Sequence, residues 1–192
     1  MTADPAIPDA FDVIVNCLWH GREAVDRASG FAARASQTSY RYRASAFLRC
    51  QQACKLPSAV LAVGPFGDIK NYNDRDLYLS WYSAGLIEDR TDGPSAIGLD
   101  PPAKDRILAG TVNRLSEYFP ELVDIVRQPA SLEIAGGWVV AHGTGSLEDP
   151  LSPLHRRDRF GISRFGSYFS VDTGKYSTAP WLAKRLANEI TG

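Results

Sequence analysis

The segment Val171-Asp172-Thr173-Gly174-Lys175-Tyr176-Ser177-Thr178-Ala179-Pro180 combines residue types that can hold an electron-rich ligand. It reads as a strand end, a glycine-containing loop, a Ser/Thr cap and a proline near the first helical position. A helix start of this kind offers unpaired backbone N–H groups and a partial positive charge. The same residues also suit plain helix capping with no ligand, which is the commoner outcome. A second segment, Asn16-Cys17-Leu18-Trp19-His20-Gly21, directly follows a strand. In open α/β sheets ligands gather outside the carboxyl ends of strands. His20 fits a surface turn equally well, and Trp19 a core or lid aromatic. His142, His155, Arg156, Arg157 and Arg159 form a third group. Clustered arginines suit bidentate recognition of carboxylates, and a solvated charged face just as readily. Tyr78, Trp81 and Tyr82 are aromatics that core or sheet surface would also explain.

Other chemistries find little support. Gly174-Lys175 is followed by Tyr176, and Phe169 stands where a phosphate-binding loop needs its first glycine. Gly143-Thr144-Gly145 begins like a dinucleotide fingerprint, but Glu148 replaces the last glycine and no helix pattern follows. There is no G-x-S-x-G elbow. Cys50 and Cys54 are separated by three residues with no histidine nearby, which favours packed thiols over a zinc site, so no metal is expected.

The elements that must position these residues follow from patterning. Residues 11–17 hold a β-branched run, as a strand buried on both faces would. Residues 22–29 read as a short helix closed by Gly30, and residues 32–38 as a polar loop. From Ser39, Tyr40, Tyr42, Ala44 and Ala46 alternate with Arg41, Arg43, Ser45 and Phe47, the period of a half-buried strand. Further strands are expected at 58–63, 68–71 and 77–82, forming an antiparallel meander. Residues 88–102 read as a surface connection. Pro101-Pro102 opens a helix with Ile107, Leu108, Val112, Leu115 and Phe119 on one face, and Pro120 either ends it or begins a second short helix at 121–126. Residues 130–141 read as a strand bent at Gly136-Gly137, and 142–158 as a loop. Two closing strands lie around Gly166, and a final helix over 180–190 turns Leu182, Leu186 and Ile190 inward.

Composition bounds the rest. The chain has 192 residues, 44% apolar and 22% charged, which suits a globular protein of one good core and marginally two. Its 21 basic and 22 acidic residues give a net charge of −1, with no electrostatic reason to expect nucleic acid or an anionic membrane as partner. No stretch has the length of a membrane span, and residues 1–10 lack the pattern of a secretory signal. Three cysteines favour reduced thiols and a cytoplasmic protein.

Taken in order, these segments resemble the C-terminal part of a FAD-dependent oxidoreductase of the D-amino-acid/glycine oxidase (DAO-type) superfamily. Phe11-Asp12-Val13-Ile14-Val15-Asn16-Cys17 resembles the last strand of that family's FAD domain. Residues 166–175, followed by Ser177-Thr178-Ala179-Pro180, resemble its closing strand, flavin-facing loop and helix. The sheet and long helix resemble its substrate domain. The resemblance implies an α+β fold of the α/β family: an antiparallel substrate-binding sheet with helices, plus the last strand and C-terminal helix of a Rossmann-like FAD domain. Residues 1–30 would end the FAD domain, 31–160 form the substrate-binding sheet domain, and 161–192 return to the FAD domain.

That resemblance implies FAD as cofactor. Gly174, Lys175, Tyr176 and Thr178 would lie at the flavin's pyrimidine edge, with Asn16, Cys17, Leu18 and Trp19 bordering it from another side. Tyr78 and Trp81 would wall a small-molecule substrate over the ring, with Arg156 as a carboxylate or polar anchor. Hydride would pass from an amine, amino acid or similar substrate to the flavin. The family's N-terminal G-x-G-x-x-G unit is not among these residues, so the missing FAD-binding half is expected elsewhere in the same chain or in a separate subunit. The alternative is a non-enzymatic binding or interaction domain that keeps the fold without the cofactor.

Overall fold

A computed structural model of the chain describes residues 11–31, 38–62, 66–147, 149, 151–155 and 160–192. The protein is α+β and divides into two compact units. Unit 1 comprises Met1–Thr38 and Val140–Gly192, and unit 2 comprises Ser39–Val139. Among the described residues no helix is long and apolar enough to cross a membrane.

In unit 1, strand β1 (Ile14–Asn16) leads through a 3-10 turn (Trp19–Gly21) into helix α1 (Arg22–Ala28). Gly30, at φ +79°, closes that helix as expected. In unit 2, strands β2 (Thr38–Cys50), β3 (Ala59–Leu61), β4 (Gly67–Asn71) and β5 (Asp76–Trp81) are followed by a one-turn helix α2 (Tyr82–Gly85) and strand β6 (Leu86–Arg90). Helices α3 (Pro101–Leu115) and α4 (Leu122–Arg127) precede strand β7 (Pro129–His142). The chain then completes unit 1 with β8 (Gly161–Phe165), β9 (Tyr168–Asp172) and helix α5 (Ala179–Thr191).

The sheet of unit 2 runs β3-β4-β5-β2-β6, with β7 also paired to β2. Only β3-β4-β5 is a meander. The long β2 lies beside β5 rather than β3, and the β3–β4, β4–β5, β5–β2 and β2–β6 pairings are antiparallel. β6 falls partly inside the stretch whose Asp, Gly and Pro content reads as a connection, because pairing to β2 overrides weak local propensity. Alternation sends Ala44, Ala46 and Leu48 of β2 and Leu77, Leu79 and Trp81 of β5 to one face, where they form a core with Ile107, Leu115 and Leu122 of the helices. Burying each large side chain contributes about 1.5–3 kcal/mol. Helix α3 starts where Asp100 accepts the Ala103 N–H at 2.8 Å, with prolines in its first turn, and ends at Leu115 rather than Phe119. Residues 129–142 form one strand through Gly136-Gly137. Gly136 lets the strand approach β2, because a Cβ there would meet Tyr42 and the Arg43 carbonyl at 2.6 Å.

The sheet of unit 1 runs β1-β9-β8. β1 pairs in parallel with β9, Asn16 opposite Ser170, while β8 and β9 form a hairpin that turns at Gly166, φ +61°. β1 is thus an edge strand in this sheet, and Val15 is 40% exposed instead of buried on both faces. In α5 Leu182 is fully buried, whereas Ile190 is exposed.

Candidate functional site

Unit 1 builds its site on a buried polar network. On β9, Tyr168, Ser170 and Asp172 share one face by alternation, and they meet Arg22 and Asp26, one turn apart on α1. Asp26 Oδ1 accepts from Asn16 Nδ2 at 2.8 Å and Tyr168 OH at 2.7 Å. Its Oδ2 accepts from Ser170 Oγ at 2.7 Å and Arg22 Nη1 at 3.0 Å. Burial opposes ionisation of Asp26, yet the hydrogen bonds from Ser170, Tyr168 and Asn16 and the Arg22 charge outweigh it and hold the carboxyl below its usual value. Burial and the bond to Asp26 push the Tyr168 hydroxyl up.

Asp172 carries this network to the loop. Its Oδ2 lies 3.2 Å from Arg22 Nη2 and 2.7 Å from His142 Nε2, and its Oδ1 accepts the Gly174 N–H at 2.9 Å. Burial again opposes ionisation, but the His142 and Gly174 hydrogen bonds and the Arg22 charge hold the Asp172 carboxyl low. Gly174 sits at φ +59°, and a Cβ there would lie 2.5 Å from the Phe160 ring, so conformation and space both require glycine. The Thr178 hydroxyl donates to the carbonyls of Thr173 and Lys175, fastening the loop to the helix start. The N–H groups of Tyr176 and Ser177 have no partner among the described residues, and both residues are exposed, Tyr176 at 93%. The loop therefore presents two main-chain donors beside the exposed Lys175 ammonium, a set that suits an electron-rich ligand.

The strand-end segment is mixed in character. The Asn16 side chain is buried and spent inside the fold: its amide donates to Arg22 O, Asp26 and Tyr168, and its oxygen accepts the Leu18 N–H at 3.2 Å. Asn16 positions the turn that follows. Cys17 and Leu18 are exposed, and Trp19, half-buried, holds φ +48°. That left-handed conformation is costly for a side chain of this size, about 1–3 kcal/mol.

In unit 2 the second face of the sheet is polar. Arg43 Nη2 donates to Ser80 Oγ at 2.9 Å, and the Arg43 guanidinium stacks 4.2 Å from the Tyr82 ring centroid. Its Nε is buried without a hydrogen bond, although the guanidinium's charge reaches the Asp68 carboxyl. Arg41, also buried, donates to the Tyr82 hydroxyl at 3.1 Å and to Asp89 at 3.0 Å. Directly across the sheet from Ser80 stands Asp68, whose Oδ1 is likewise buried and unpartnered. Burial raises the Asp68 carboxyl above its usual value, against the opposing charges of Lys70 and Arg43. A guanidinium with one neutral partner and a carboxylate with an open oxygen, on one row of strands, suit a small polar ligand.

Tyr78 shares this face: it pairs with Phe47, and its hydroxyl accepts from Ser45 at 3.0 Å. Trp81 does not. Three residues further along β5 it points into the core, 3% exposed, with Arg114 stacked on its ring at 5.2 Å. Arg156, Arg157 and Arg159 lie outside the described residues. His155 Nε2 is 2.9 Å from the Asp149 carbonyl, and His20 is exposed. Sequence reasoning missed the Asp26 network, although Arg22 and Asp26 at i, i+4 were its visible trace. It also missed the Arg43–Ser80–Asp68 row, for which the only trace was polar residues recurring on one face of β2. Among the described residues no cluster of three metal-ligating side chains occurs.

No protein family and no curated protein matches the chain. Among solved structures it is similar to the crystal structure of the FAD dependent oxidoreductase PA4991 from Pseudomonas aeruginosa, with 15% sequence identity and a TM-score of 0.49. That similarity takes in 94% of this chain but 45% of the other, so the chain spans less than half the length of the protein it matches.

Proposed function

We propose that the chain is the C-terminal part of a FAD-dependent oxidoreductase resembling the DAO-type superfamily, acting on a small amine, amino acid or similar substrate. One observation carries the reading. β1 and β9, from opposite ends of the chain, pair in parallel, and β9 runs through Gly174 into a helix start with two open N–H donors. A separate antiparallel-sheet unit fills the sequence in between.

In this reading residues 1–30 and 161–192 belong to the FAD domain and 31–160 to the substrate domain. The rest of the FAD domain lies in the same polypeptide or in a second subunit, and the protein is cytoplasmic. The bound flavin would supply the hydride acceptor. Tyr176 and Ser177 would donate their N–H groups to its electron-rich edge, where the Lys175 ammonium and the α5 N-terminus favour negative charge. Gly174 keeps that approach clear, Thr178 and Asp172 hold the loop in shape, and Asn16 sets the turn through which Cys17, Leu18 and Trp19 would border the ring. In unit 2 Arg43 would take an acidic or acceptor group of the substrate and Asp68 a donor such as an amine, with Tyr78 and Ser80 lining the same face. Arg156 remains a second candidate anchor, and Trp81 would support the sheet from behind.

The protein expressed from its natural coding region should be yellow, releasing flavin absorbance on denaturation. Colourless protein that takes up no added FAD would refute the reading. The alternative, a cofactor-free interaction domain, is favoured by the exposed Tyr176 and Trp181 side chains and predicts that colourless outcome.

A further inference from the structure

Cys50 ends β2, 6% exposed, and Cys54 follows in the connection to β3, half-buried. Their sulfurs lie 3.5 Å apart. The backbone holds them there. The Cys50 N–H donates to Arg75 O at 2.8 Å and the Cys54 N–H to Asp74 O at 2.7 Å, consecutive carbonyls of the β4–β5 turn. That turn is itself fastened. Asn71 Oδ1 accepts the Asp74 N–H at 2.7 Å, and Asn73 Oδ1 accepts those of Arg75 and Asp76 at 3.0 and 2.8 Å. The Asn71 amide also donates to the carbonyls of Cys54 and Leu56, at 3.2 and 2.8 Å, tying the connection to the same turn. Both cysteines hang from one rigid support. Closing the 3.5 Å sulfur gap to a disulfide of about 2.05 Å asks for a shift of about 1.5 Å between the two sulfurs.

We infer that Cys50 and Cys54 form a redox-active pair that a peroxide closes into an intramolecular disulfide and a dithiol reopens. The inference is independent of the proposed flavin chemistry. The two thiols are not equivalent. Burial and the neighbouring Cys54 push the Cys50 thiol up to about 11, so it stays protonated, while Cys54 is the more accessible sulfur. The Cys54 thiolate attacks hydrogen peroxide: an S–O bond forms, the O–O bond breaks and the released hydroxide takes a proton to become water. Cys50 then attacks the resulting sulfenic sulfur. An S–S bond forms, the S–O bond breaks, and the Cys50 proton leaves with the departing hydroxide as a second water. Two thiols lose two electrons and one peroxide becomes two waters. The product staples residues 51–53 across the end of β2, where they are otherwise exposed.

Cys17, exposed in unit 1, is first replaced by serine so that intermolecular coupling cannot intervene. The Cys17→Ser chain is treated with hydrogen peroxide, unfolded and titrated for thiols, with peptide mapping without reductant. The expected result is a fall from two thiols to none, a monomer about 2 Da lighter with a 50–54 crosslink, and full recovery with dithiothreitol. Adding Cys50→Ser should leave a Cys54 sulfenic acid that dimedone traps. Adding Cys54→Ser should leave Cys50 reduced at least about tenfold longer. Retention of both thiols, a Cys54 sulfinic acid without crosslink, or equal oxidation of Cys50 with and without Cys54 would each overturn the inference.

Discussion

Replacing Asp26 with asparagine should cost unit 1 much of its stability. Asp26 is 5% exposed, and its carboxylate accepts four hydrogen bonds, from Asn16, Tyr168, Ser170 and Arg22. An amide of the same shape keeps one acceptor and turns a pair of donors toward groups that are themselves donors. The Tyr168 and Ser170 hydroxyls can rotate, but the Arg22 guanidinium can only donate. An orphaned buried donor costs about 1–3 kcal/mol, and breaking a buried ion pair about 3–5 kcal/mol. Arg22 retains Asp172 at 3.2 Å, which trims the upper figure, so a loss of about 3 kcal/mol is expected. For a chain of this length that lowers Tm by roughly 6–12 °C. The pH dependence has a definite sign. Because the folded carboxyl is held below its usual value, its contribution is complete above the unfolded value of about 3.9 and is lost as pH falls through the folded one. Wild type should therefore weaken in acid more steeply than Asp26→Asn. Asp172 titrates in the same direction in both proteins, so the prediction rests on the difference between the two acid profiles rather than on either alone. Urea denaturation from pH 7 to pH 3 reads both effects. Stabilities within about 0.5 kcal/mol at pH 7, or parallel losses in acid, would refute the account of the network.

Gly174→Val should distort the loop, since its Cβ would strike Phe160 at φ +59°. A stability loss of about 1–3 kcal/mol by denaturation, together with weaker flavin retention in a flavin-loaded protein, is expected. Asp68→Asn should instead stabilise unit 2 at pH 7, by roughly 0.5–1 kcal/mol discounted for partial exposure, because burial raises that carboxyl and penalises its charge. The folded state binds this proton more tightly than the unfolded one, so the gain should shrink as pH falls toward 4, and a gain that instead grew in acid would contradict the assignment. Trp81→Ala should cost about 3–5 kcal/mol and Tyr78→Phe under about 1 kcal/mol in the same assay, separating the core face of β5 from its polar face. Comparable losses for the two would contradict the alternation.

Long periodic elements were legible in the sequence because their burial follows one period. The helix behind Pro101-Pro102, the hairpin around Gly166 and the alternation in β2 each appear in the structure. What escaped was set by partners far along the chain. β6 is a strand because β2 lies beside it, although its own residues read as a connection. Tyr78 and Trp81 look like a pair of aromatics, but an odd spacing on a strand puts them on opposite faces, a period-two consequence available from the sequence and not drawn from it. Asp26 gave less warning: apart from its i, i+4 spacing from Arg22, nothing on that short helix points to the Tyr168 and Ser170 hydroxyls, more than 140 residues away, that enclose it.

The two candidate sites differ in what holds them, and that difference governs what each can tolerate. In unit 1 the donors are main-chain N–H groups on a loop fixed by Gly174, Thr178 and Asp172. Substituting Tyr176 or Lys175 leaves those donors in place, whereas any side chain at position 174 removes the geometry. In unit 2 the groups are side chains, Arg43 and Asp68, each with a buried atom left open. A fold selected for stability alone would gain by closing them, since an apolar residue of similar shape avoids the desolvation that both incur. Arg43 instead spends its stacking on Tyr82 and one hydrogen bond on Ser80, which fixes the guanidinium without satisfying it. In the proposed reading, a cation oriented and left partly unpaired on the same face as an acid with an open oxygen would suit a ligand that brings its own acceptor and donor. The polar face of the sheet is thus the more demanding of the two sites, and the one whose chemistry a substitution can redirect.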